Sequence, residues 1–314
     1  MKYKKFKNAG IEVPVLAAGT WAIGGANYGA VDRTDSIKAI RSMVDKGANL
    51  IDTAPVYGNG ASEKIVGEAI STLSRDKLLI STKFGLRPNP GGYARDATYK
   101  NCIREAESSL INLGTDYLDF YYVHWPDVNT PISETMSALN VLKKQGKIRF
   151  IGVSNFTKEQ ILEAEEYGQV DVQQPPFSMV DQRYVELIEW GYGKGIDSMI
   201  YAPLGAGILT GAIRSMPDFA PGDMRLNFYT FFKEPTFSKI MELLKTLDAI
   251  SAGNGKPLAQ IALNWSVQKN FVGSALVGVR DEKEAQENCA AFDWDLSAAE
   301  MKRIDDEIAR LEIV

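Results

Sequence analysis

Histidine and cysteine are scarce in this sequence of 314 residues, which contains one His and two Cys. Zinc and other transition-metal sites commonly draw on these side chains, so the composition argues against a metal centre. A Ser-His-Asp relay would have to run through His124 alone, and no G-x-S-x-G motif is present. Cys102 and Cys289 offer no disulfide framework, and we expect both to be buried packing residues within helices.

Long apolar runs are also missing. The longest, around residues 118–123 and 198–204, have the length of a strand, whereas a membrane-spanning helix needs roughly 18 apolar residues. The basic N-terminal stretch MKYKKFKNAG has no apolar segment behind it and does not resemble a secretory signal. The net charge of −5, from 40 acidic and 35 basic residues, does not suggest the clustered basic surface that grips nucleic acid. We therefore expect a cytoplasmic protein whose partners include neither a membrane nor a nucleic acid.

Short apolar runs alternate with amphipathic segments along nearly the whole chain. Residues 6–14 contain the turn signal Asn8-Ala9-Gly10 and are predicted to form a small hairpin. Eight strands are predicted, at residues 15–20, 49–52, 78–83, 117–124, 148–154, 170–173, 197–202 and 273–277. Helices are predicted at residues 34–46, 62–73, 98–113, 132–145, 158–167, 182–194, 237–252, 257–269, 281–290 and 297–311.

This order of elements limits the fold to two architectures. Strands that are each followed by a helix imply a parallel sheet buried on both faces, and runs such as FYYVH and MIYAPL are continuously apolar as that requires. An open doubly wound sheet that binds a dinucleotide should show G-x-G-x-x-G after its first strand, and AGTWAIGGANYG does not fit. No linker interrupts the units. We predict a single α/β domain over residues 1–314, a (β/α)8 TIM barrel with an N-terminal hairpin and extra C-terminal helices.

Polar and aromatic side chains stand where the predicted strands end, and a barrel enzyme builds its active site from those ends. The residues are Trp21, Asp52, Lys83, His124, Ser154, Asn155, Gln173, Tyr201 and Arg280. Tyr57 follows Asp52 by five residues, in PVYGNG, where a Gly-rich loop can fold it back over the mouth of the barrel.

Several ordered motifs resemble those of the aldo-keto reductase superfamily. They are LIDTAPVYGNGASEKIVGEAI, STKFG, YLDFYYVHWPD, GKIRFIGVSNF, QPPFSMVD, YAPLGAGILTG, GDMR and ENCAAFDWDLS. The resemblance covers nearly the whole chain. The motifs HWPD and YAPLGAGILTG are more similar to those of the microbial and potassium-channel-β-like branches than to those of the mammalian steroid-reducing branch. The resemblance implies an oxidoreductase that transfers hydride between a nicotinamide cofactor and an aldehyde, ketone or sugar-type carbonyl.

The resemblance implies a catalytic tetrad of Asp52, Tyr57, Lys83 and His124. A tyrosine has an unperturbed pKa of about 10, and a nearby Lys83 ammonium favours its ionised form, so Tyr57 is a usable general acid and, in reverse, a base. Asp52 would hold the charge of Lys83, and His124 would orient the substrate carbonyl and stabilise the developing oxyanion. Taken singly, Asp52 could be a turn cap and Tyr57 a surface tyrosine. Their occurrence together in order supports the catalytic interpretation.

The resemblance also implies how a dinucleotide is held. Ser154, Asn155 and Gln173 would hydrogen-bond the nicotinamide carboxamide, and Tyr201 would stack on its ring. A loop of small residues after the seventh strand would wrap the pyrophosphate. The loop residues are Leu204, Gly205, Ala206, Gly207 and Leu209.

The adenosine end is expected near residues 277–288. Arg280 is a candidate partner for a 2′-phosphate, and Gln286 or Asn288 for the adenine. Relatives commonly carry Gln or Arg where Glu284 stands, and a carboxylate there would repel a phosphate and could accept hydrogen bonds from a free ribose diol. Arg280 and the family together favour NADP(H) as the cofactor, with NAD(H) as the alternative.

Aromatic side chains are predicted to contact the substrate. They are Trp21, Phe84, Trp125, Phe228 and Tyr229. A pocket mouth lined by aromatic side chains around one polar group suits a small carbonyl compound.

Two other functions stay open: NAD-dependent oxidation of a sugar hydroxyl, consistent with Glu284, and a slow cofactor-sensing regulatory subunit, suggested by the channel-β-like motifs. The sequence indicates neither the physiological substrate nor the oligomeric state.

Overall fold

Eight parallel strands close into a barrel in the computed structural model of the chain, which describes residues 1–25, 32–90, 92–219 and 229–313. The strands in chain order are β1 (Tyr3–Lys5), β2 (Glu12–Pro14), β3 (Leu16–Gly19), β4 (Leu50–Asp52), β5 (Leu79–Phe84), β6 (Leu86–Asn89), β7 (Gly92–Arg95), β8 (Leu118–Val123), β9 (Ile148–Ser154), β10 (Val172–Gln174), β11 (Asp197–Tyr201) and β12 (Ser274–Gly278). The barrel runs β3-β4-β5-β8-β9-β10-β11-β12 and closes from β12 to β3. The predicted (β/α)8 barrel is confirmed.

Helices surround the barrel. They are α1 (Arg33–Asp45), α2 (Ala61–Ile70), α3 (Tyr99–Leu113), α4 (Ile132–Lys144), α5 (Lys158–Glu165), α6 (Val185–Lys194), α7 (Thr236–Asn254), α8 (Leu258–Gln268), α9 (Glu282–Cys289) and α10 (Ala298–Leu311). The helix α10 packs against α7, outside the repeating strand-helix pattern. Across the described ranges, no helix has both the length and the apolar character needed to cross a bilayer.

Side-chain caps explain where several helices begin. Asp32 and Thr98 accept hydrogen bonds from backbone N–H groups in the first turns of α1 and α3. Thr157 and Ser297 form reciprocal capping boxes at the starts of α5 and α10. Such caps satisfy N–H groups that have no partner inside the helix, and they are readable as sequence signals.

The interior of the barrel is apolar at its N-terminal end and polar at its C-terminal end. Inward-facing strand residues form an apolar cluster, closed from below by Phe6 and Val13 of the N-terminal hairpin. Its members from the barrel strands are Ala17, Leu50, Leu79, Phe120, Tyr122, Val172, Met199 and Leu276. Because alternate residues of a strand share a face, the outward residues form a second core against the helices.

The two small hairpins differ from the sequence predictions. The N-terminal hairpin pairs β1 with β2, so its first strand begins at Tyr3, and residues 6–11 are mainly the connecting turn. The polar Tyr3-Lys4-Lys5 run concealed this strand. A second hairpin, β6 with β7, was not predicted. Its Pro and Gly content suggests a loop, but an edge hairpin outside the barrel tolerates both residues.

Candidate active site

A buried ion pair lies at the C-terminal end of the barrel interior. Lys83 Nζ donates to Asp52 Oδ2 at 2.6 Å and to the Thr53 carbonyl oxygen at 2.9 Å, and Lys83 is only 1% exposed. Burial lowers the pKa of Lys83, and the carboxylate of Asp52 partly opposes that effect. Burying two charges costs free energy even when they are paired, so an ion pair here indicates function better than stability.

Tyr57 lies above this pair on the loop between β4 and α2. The Lys83 Nζ atom is 5.0 Å from the centre of the tyrosine ring. The ring meets His124 edge to face, with 6.0 Å between centroids, and stacks on Trp21 at 6.2 Å. The structure therefore brings together all four predicted tetrad residues, one of them through a loop rather than a strand.

Backbone packing holds the tyrosine loop in place. Gly58, directly after Tyr57, has a φ of +62°. A Cβ atom at this position would lie 2.1 Å from the carbonyl oxygen of Gly24. Only glycine permits both the left-handed conformation and this approach, so the Gly-rich sequence around Tyr57 is explained by contact with the turn that follows β3.

His124 directly follows β8 and is tied to its neighbours through its backbone. Its N–H donates to the Phe84 carbonyl oxygen at 3.0 Å, and its own carbonyl accepts from Asn155 Nδ2 at 3.0 Å. Burial, and then the positive charge of Lys83, hold the pKa of His124 well below its usual value. The imidazole is therefore neutral near pH 7, with one ring N–H available as a donor.

A set of amide and hydroxyl groups lies beside the ion pair, at the ends of β9, β10 and β11. Asn155 has a φ of +60°, which Asn tolerates better than most residues. Its Nδ2 donates to Ser154 Oγ at 3.0 Å, and its Oδ1 accepts from the Tyr201 hydroxyl at 3.0 Å. Ser154 Oγ in turn donates to the Gln174 carbonyl oxygen at 2.7 Å. Three of the four predicted nicotinamide contacts are thus neighbours.

The prediction for Gln173, the fourth residue, is wrong about its direction, because Gln174 takes the inward position. The side chain of Gln173 points away from the barrel interior, where its Nε2 reaches the Leu187 carbonyl at 3.4 Å beneath α6. Gln174 points inward, and its Nε2 donates to Asp52 Oδ1 at 3.0 Å. The alternation of β10 carries the signal, because Val172 lies in the barrel interior and residue 174 must share its face.

The loop after β11 leaves space for a ligand beside one of its glycines. Residues Gly205–Thr210 form a tight turn in which Ala206 and Gly207 have φ values of 52° and 94°. At Gly207 a Cβ atom would meet nothing within 4 Å, whereas Gly205 and Leu209 are buried and Leu204 is half-buried. The turn therefore leaves empty space beside Gly207, whose own N–H donates to the Leu204 carbonyl oxygen at 3.1 Å.

Arg280 and Glu284 are paired at the start of α9. Arg280 Nε donates to Glu284 Oε1 at 3.1 Å, and the Arg280 backbone N–H donates to Glu284 Oε2 at 2.9 Å. Asp281 caps the helix by accepting from the Glu284 N–H at 2.8 Å. Asn288 is buried and donates to the Gly278 carbonyl oxygen at 3.3 Å. The one arginine predicted to meet a 2′-phosphate is thus held by a carboxylate.

Two of the predicted substrate aromatics lie at the mouth. Trp21 stacks on Tyr57, and Trp125, directly after His124, is partly exposed. The guanidinium of Arg95, from the hairpin that the sequence did not predict, lies 5.2 Å from the centre of the Trp125 ring. This hairpin therefore borders the mouth beside Trp125.

Phe84 and Tyr229, two other predicted substrate aromatics, are buried against neighbouring aromatic rings. Phe84 faces outward from β5 and stacks on Tyr121 at 5.0 Å in the layer between barrel and helices, so its predicted substrate contact is corrected. Alternation explains this, because Lys83 takes the inward position. Tyr229 is buried and stacks on Phe231 at 4.8 Å. Phe228 and the GDMR motif lie outside the described residues.

Together these groups are suited to proton transfer and to stabilising negative charge on oxygen. A phenol, a buried ammonium and a neutral imidazole meet at one point, and hydroxyl and amide groups surround it. Nowhere in the described part of the chain do three His, Cys, Asp or Glu side chains gather as ligands for a metal ion.

Comparison with known proteins gives consistent matches over nearly the full chain. A model of the Aldo/keto reductase family matches residues 15–309. The NADH-specific methylglyoxal reductase of Escherichia coli (strain K12) is 36% identical over 301 residues, covering 91% of this chain and 91% of that protein. A probable voltage-gated potassium channel subunit beta of Arabidopsis thaliana is 31% identical over 311 residues, covering 93% and 92% respectively. The solved glycerol dehydrogenase AKR11B4 from Gluconobacter oxydans is 32% identical with a TM-score of 0.89, covering 98% and 95%.

Proposed function

The chain belongs to the aldo/keto reductase family, and we propose that Tyr57 is the general acid with which it reduces an aldehyde, ketone or sugar-type carbonyl. The reaction is reversible, so Tyr57 is the base when an alcohol is oxidised. One observation carries this proposal: the centre of the Tyr57 ring lies 5.0 Å from Nζ of the buried Lys83, which Asp52 holds, and 6.0 Å from the ring of His124.

Each tetrad residue has a defined task. A nicotinamide, when bound, would supply the hydride that the carbonyl carbon accepts. Tyr57 gives its phenolic proton to the carbonyl oxygen, and the Lys83 ammonium stabilises the phenolate that remains. His124 donates a hydrogen bond to the same oxygen, which fixes the carbonyl and stabilises its developing negative charge. Asp52 keeps Lys83 charged in a site where burial alone lowers its pKa.

The residues beside the tetrad fit a dinucleotide. Asn155, Ser154 and Gln174 would hold the carboxamide, and Tyr201 would stack on the nicotinamide ring. The space beside Gly207 suits the diphosphate, because a Cβ at this position would meet nothing within 4 Å apart from its chain neighbours.

The proposal is tested with a panel of small aldehydes, ketones and keto-sugars, followed by loss of reduced-nicotinamide absorbance. Tyr57→Phe removes the acid but keeps the ring, so we expect kcat to fall by about 10²–10⁴-fold while cofactor binding is retained. Cofactor fluorescence measures that binding. The proposal is abandoned if wild type and Tyr57→Phe show equally negligible turnover on the whole panel.

The choice of nicotinamide depends on Arg280 and Glu284. Arg280 alone favours NADP(H), yet its guanidinium and backbone N–H both engage the Glu284 carboxylate. Asp281 and Glu282 add further negative charge at the same helix start. A 2′-phosphate would have to displace one carboxylate and approach the others, whereas a ribose diol would not. We infer a preference for NAD(H), and the name of the Escherichia coli relative agrees with it.

The cofactor preference is tested with two charge-matched variants. Glu284→Gln removes the carboxylate that holds Arg280, and Glu282→Gln removes an exposed one on the same turn. We expect Glu284→Gln to raise the NADPH to NADH ratio of kcat/KM by about tenfold or more, since juxtaposed like charges cost on the order of a few kcal/mol. Glu282→Gln should change it far less. A wild-type preference for NADPH that neither variant alters would contradict the inference.

Two further functions have one observation each in their favour. The glycerol dehydrogenase relative supports alcohol oxidation as the physiological direction, which is tested by comparing kcat/KM for polyols with that for the matching carbonyls. The channel-subunit relative supports a role as a slow, cofactor-sensing regulatory subunit. Such a subunit is expected to hold its cofactor tightly and to oxidise it only slowly. Fast multiple turnover with free substrate would exclude this second function.

A further inference from the structure

Ser81 lies beside Asp52 in the barrel sheet. The register of β4 and β5 pairs the two residues, and Ser81 Oγ donates to Asp52 Oδ1 at 2.7 Å. Ser81 is 0% exposed, so no solvent replaces this hydrogen bond. Because alternate residues of a strand share a face, Ser81 and Lys83 both point into the barrel. One strand thus supplies a donor to each oxygen of the same carboxylate.

The Asp52 carboxylate has its orientation fixed from both sides. Its Oδ2 accepts from Lys83 Nζ at 2.6 Å, and its Oδ1 accepts from Ser81 and from Gln174 Nε2 at 3.0 Å. Rotation of the carboxylate about its Cβ–Cγ bond would weaken all three hydrogen bonds together. The Ser81 bond is the shorter of the two at Oδ1 and comes from a side chain with only one rotatable carbon–carbon bond.

We propose that Ser81 is a positioning residue for carbonyl reduction, whose hydroxyl fixes the Asp52 carboxylate so that Lys83 stays charged and in place beneath Tyr57. The inference rests on the proposed role of Tyr57 as the acid. Ser81 acts through Asp52 and Lys83 and does not contact the reacting atoms. In a dry interior a hydrogen bond to a carboxylate is strong, and the loss of one member of a network affects the others.

Loss of the hydroxyl has a definite consequence for pH dependence. With one donor fewer, Oδ1 is held by Gln174 alone, the carboxylate can rotate, and its contact with Lys83 weakens. Burial lowers the pKa of Lys83, and Asp52 is the main group that raises it again. When the contact with Asp52 weakens, the pKa of Lys83 therefore falls further. The ammonium is then lost at lower pH. The titratable groups around Lys83 are Asp52 on β4, Tyr57 on the following loop, Glu63 on α2, and Tyr122 and His124 at the end of β8.

Thr82 provides a matched control on the same strand. It is also 0% exposed, and its Oγ1 donates to the buried carboxylate of Glu63 at 2.9 Å on the outer side of the barrel. Ser81→Ala and Thr82→Val therefore each remove one buried hydroxyl–carboxylate hydrogen bond from β5. Only the first of these carboxylates belongs to the tetrad.

The experiment measures kcat, KM and their pH dependence for the full chain with reduced cofactor and the best aldehyde of the panel. We expect Ser81→Ala to lower kcat by about tenfold to a hundredfold, as small displacements in an active site do, with the KM for cofactor changed less than about twofold. The alkaline limb of its kcat profile should move to lower pH. Thr82→Val should keep the wild-type profile, and Ser81→Thr, which retains a hydroxyl, should restore most of the rate.

A structural role alone predicts a different result. If Ser81→Ala and Thr82→Val lose stability alike and both keep the wild-type kcat and pH profile, the positioning role is wrong. If Ser81→Ala fails to fold, Ser81→Cys replaces it, because cysteine has nearly the same size as serine but is a weaker hydrogen-bond donor. This variant must show a smaller shift of the alkaline limb of the kcat profile in the same direction. Failure of the proposed function is separate, because then wild type itself would show no turnover sensitive to Tyr57→Phe.

Discussion

The buried Lys83 lies near the half-buried His124, and the charge of Lys83 affects the pKa of His124. Burial lowers the pKa of both side chains, but only Lys83 has a carboxylate partner to oppose the effect. The positive charge of Lys83 then lowers the pKa of His124 further. The site therefore stabilises an ammonium and a neutral imidazole near each other, which is the combination that the proposed mechanism needs.

His124 gives a direct test of this charge assignment. It is the chain's only histidine, so the imidazole proton signals in an NMR spectrum report on it alone. We expect them to show no titration near pH 6.5, where an ordinary histidine protonates, with the transition displaced well into the acid range. In Lys83→Met the midpoint should rise, because one of the two causes is removed. A wild-type midpoint at about 6.5 would contradict the assignment.

The same shift has a consequence for stability. The folded state disfavours protonated His124, so its contribution to the free energy of unfolding is complete above the unfolded pKa of about 6.5 and is lost as pH falls below it. His124→Gln should remove the part of the acid-induced loss in the free energy of unfolding that comes from protonation of His124. Urea unfolding at two pH values, one on each side of this range, measures the difference between wild type and variant.

At the residue scale the sequence predicted that Asp52, Tyr57, Lys83 and His124 lie close together, and the structure confirms that nearness. The sequence misassigned Gln173, since a shift of one residue moves a side chain to the opposite face of a strand. It did not anticipate Ser81, because a serine within a strand carries no signal of its own. Its importance arises only from the register that sets it beside Asp52.

The N-terminal hairpin is the element that closes the lower end of the barrel. Phe6, in its turn, is fully buried, with its ring 6.3 Å from that of Phe120. It also packs against Gly273, where a Cβ would meet its ring at 2.6 Å. Lys4 donates to three backbone carbonyls at and beyond the end of α8, which ties the hairpin to the barrel wall.

Phe6→Ala tests whether this closure concerns stability alone. The change leaves a cavity in a close-packed core, so we expect a loss of about 3–5 kcal/mol in the free energy of unfolding. Phe6 lies at the end of the barrel opposite the tetrad, so kcat of the folded variant should remain near that of wild type. Phe6→Leu, which fills most of the space, should lose much less. A large fall in kcat without loss of stability would contradict this division.

The elements themselves were predicted well where their patterns are long. The barrel strands and the flanking helices follow from apolar runs and caps, and each has a counterpart in the structure. The β6–β7 hairpin and the first strand at Tyr3 were missed because their residues are polar or turn-forming. Both are stabilised by contacts with distant parts of the chain, which a local pattern does not contain.

Across the whole molecule the barrel separates two tasks. Its lower end is an apolar core closed by the hairpin, and its upper end gathers the charged and polar groups from the ends of β4, β5, β8, β9 and β10. The fold therefore allows a costly buried ion pair at the mouth, because the apolar layers beneath it supply stability. The order of predicted strands and helices indicated a barrel with its polar strand ends gathered at one end.

Hydride transfer to a carbonyl carbon, with Tyr57 as the general acid, is tested most directly by following an isotope. The protein is mixed with reduced cofactor deuterated at the transferable position and with the best aldehyde of the panel, and the alcohol is analysed by mass spectrometry. The account predicts one deuterium on the former carbonyl carbon, formed at least about 10²-fold more slowly by Tyr57→Phe. Alcohol without deuterium, or equal rates of formation by the two proteins, would contradict it.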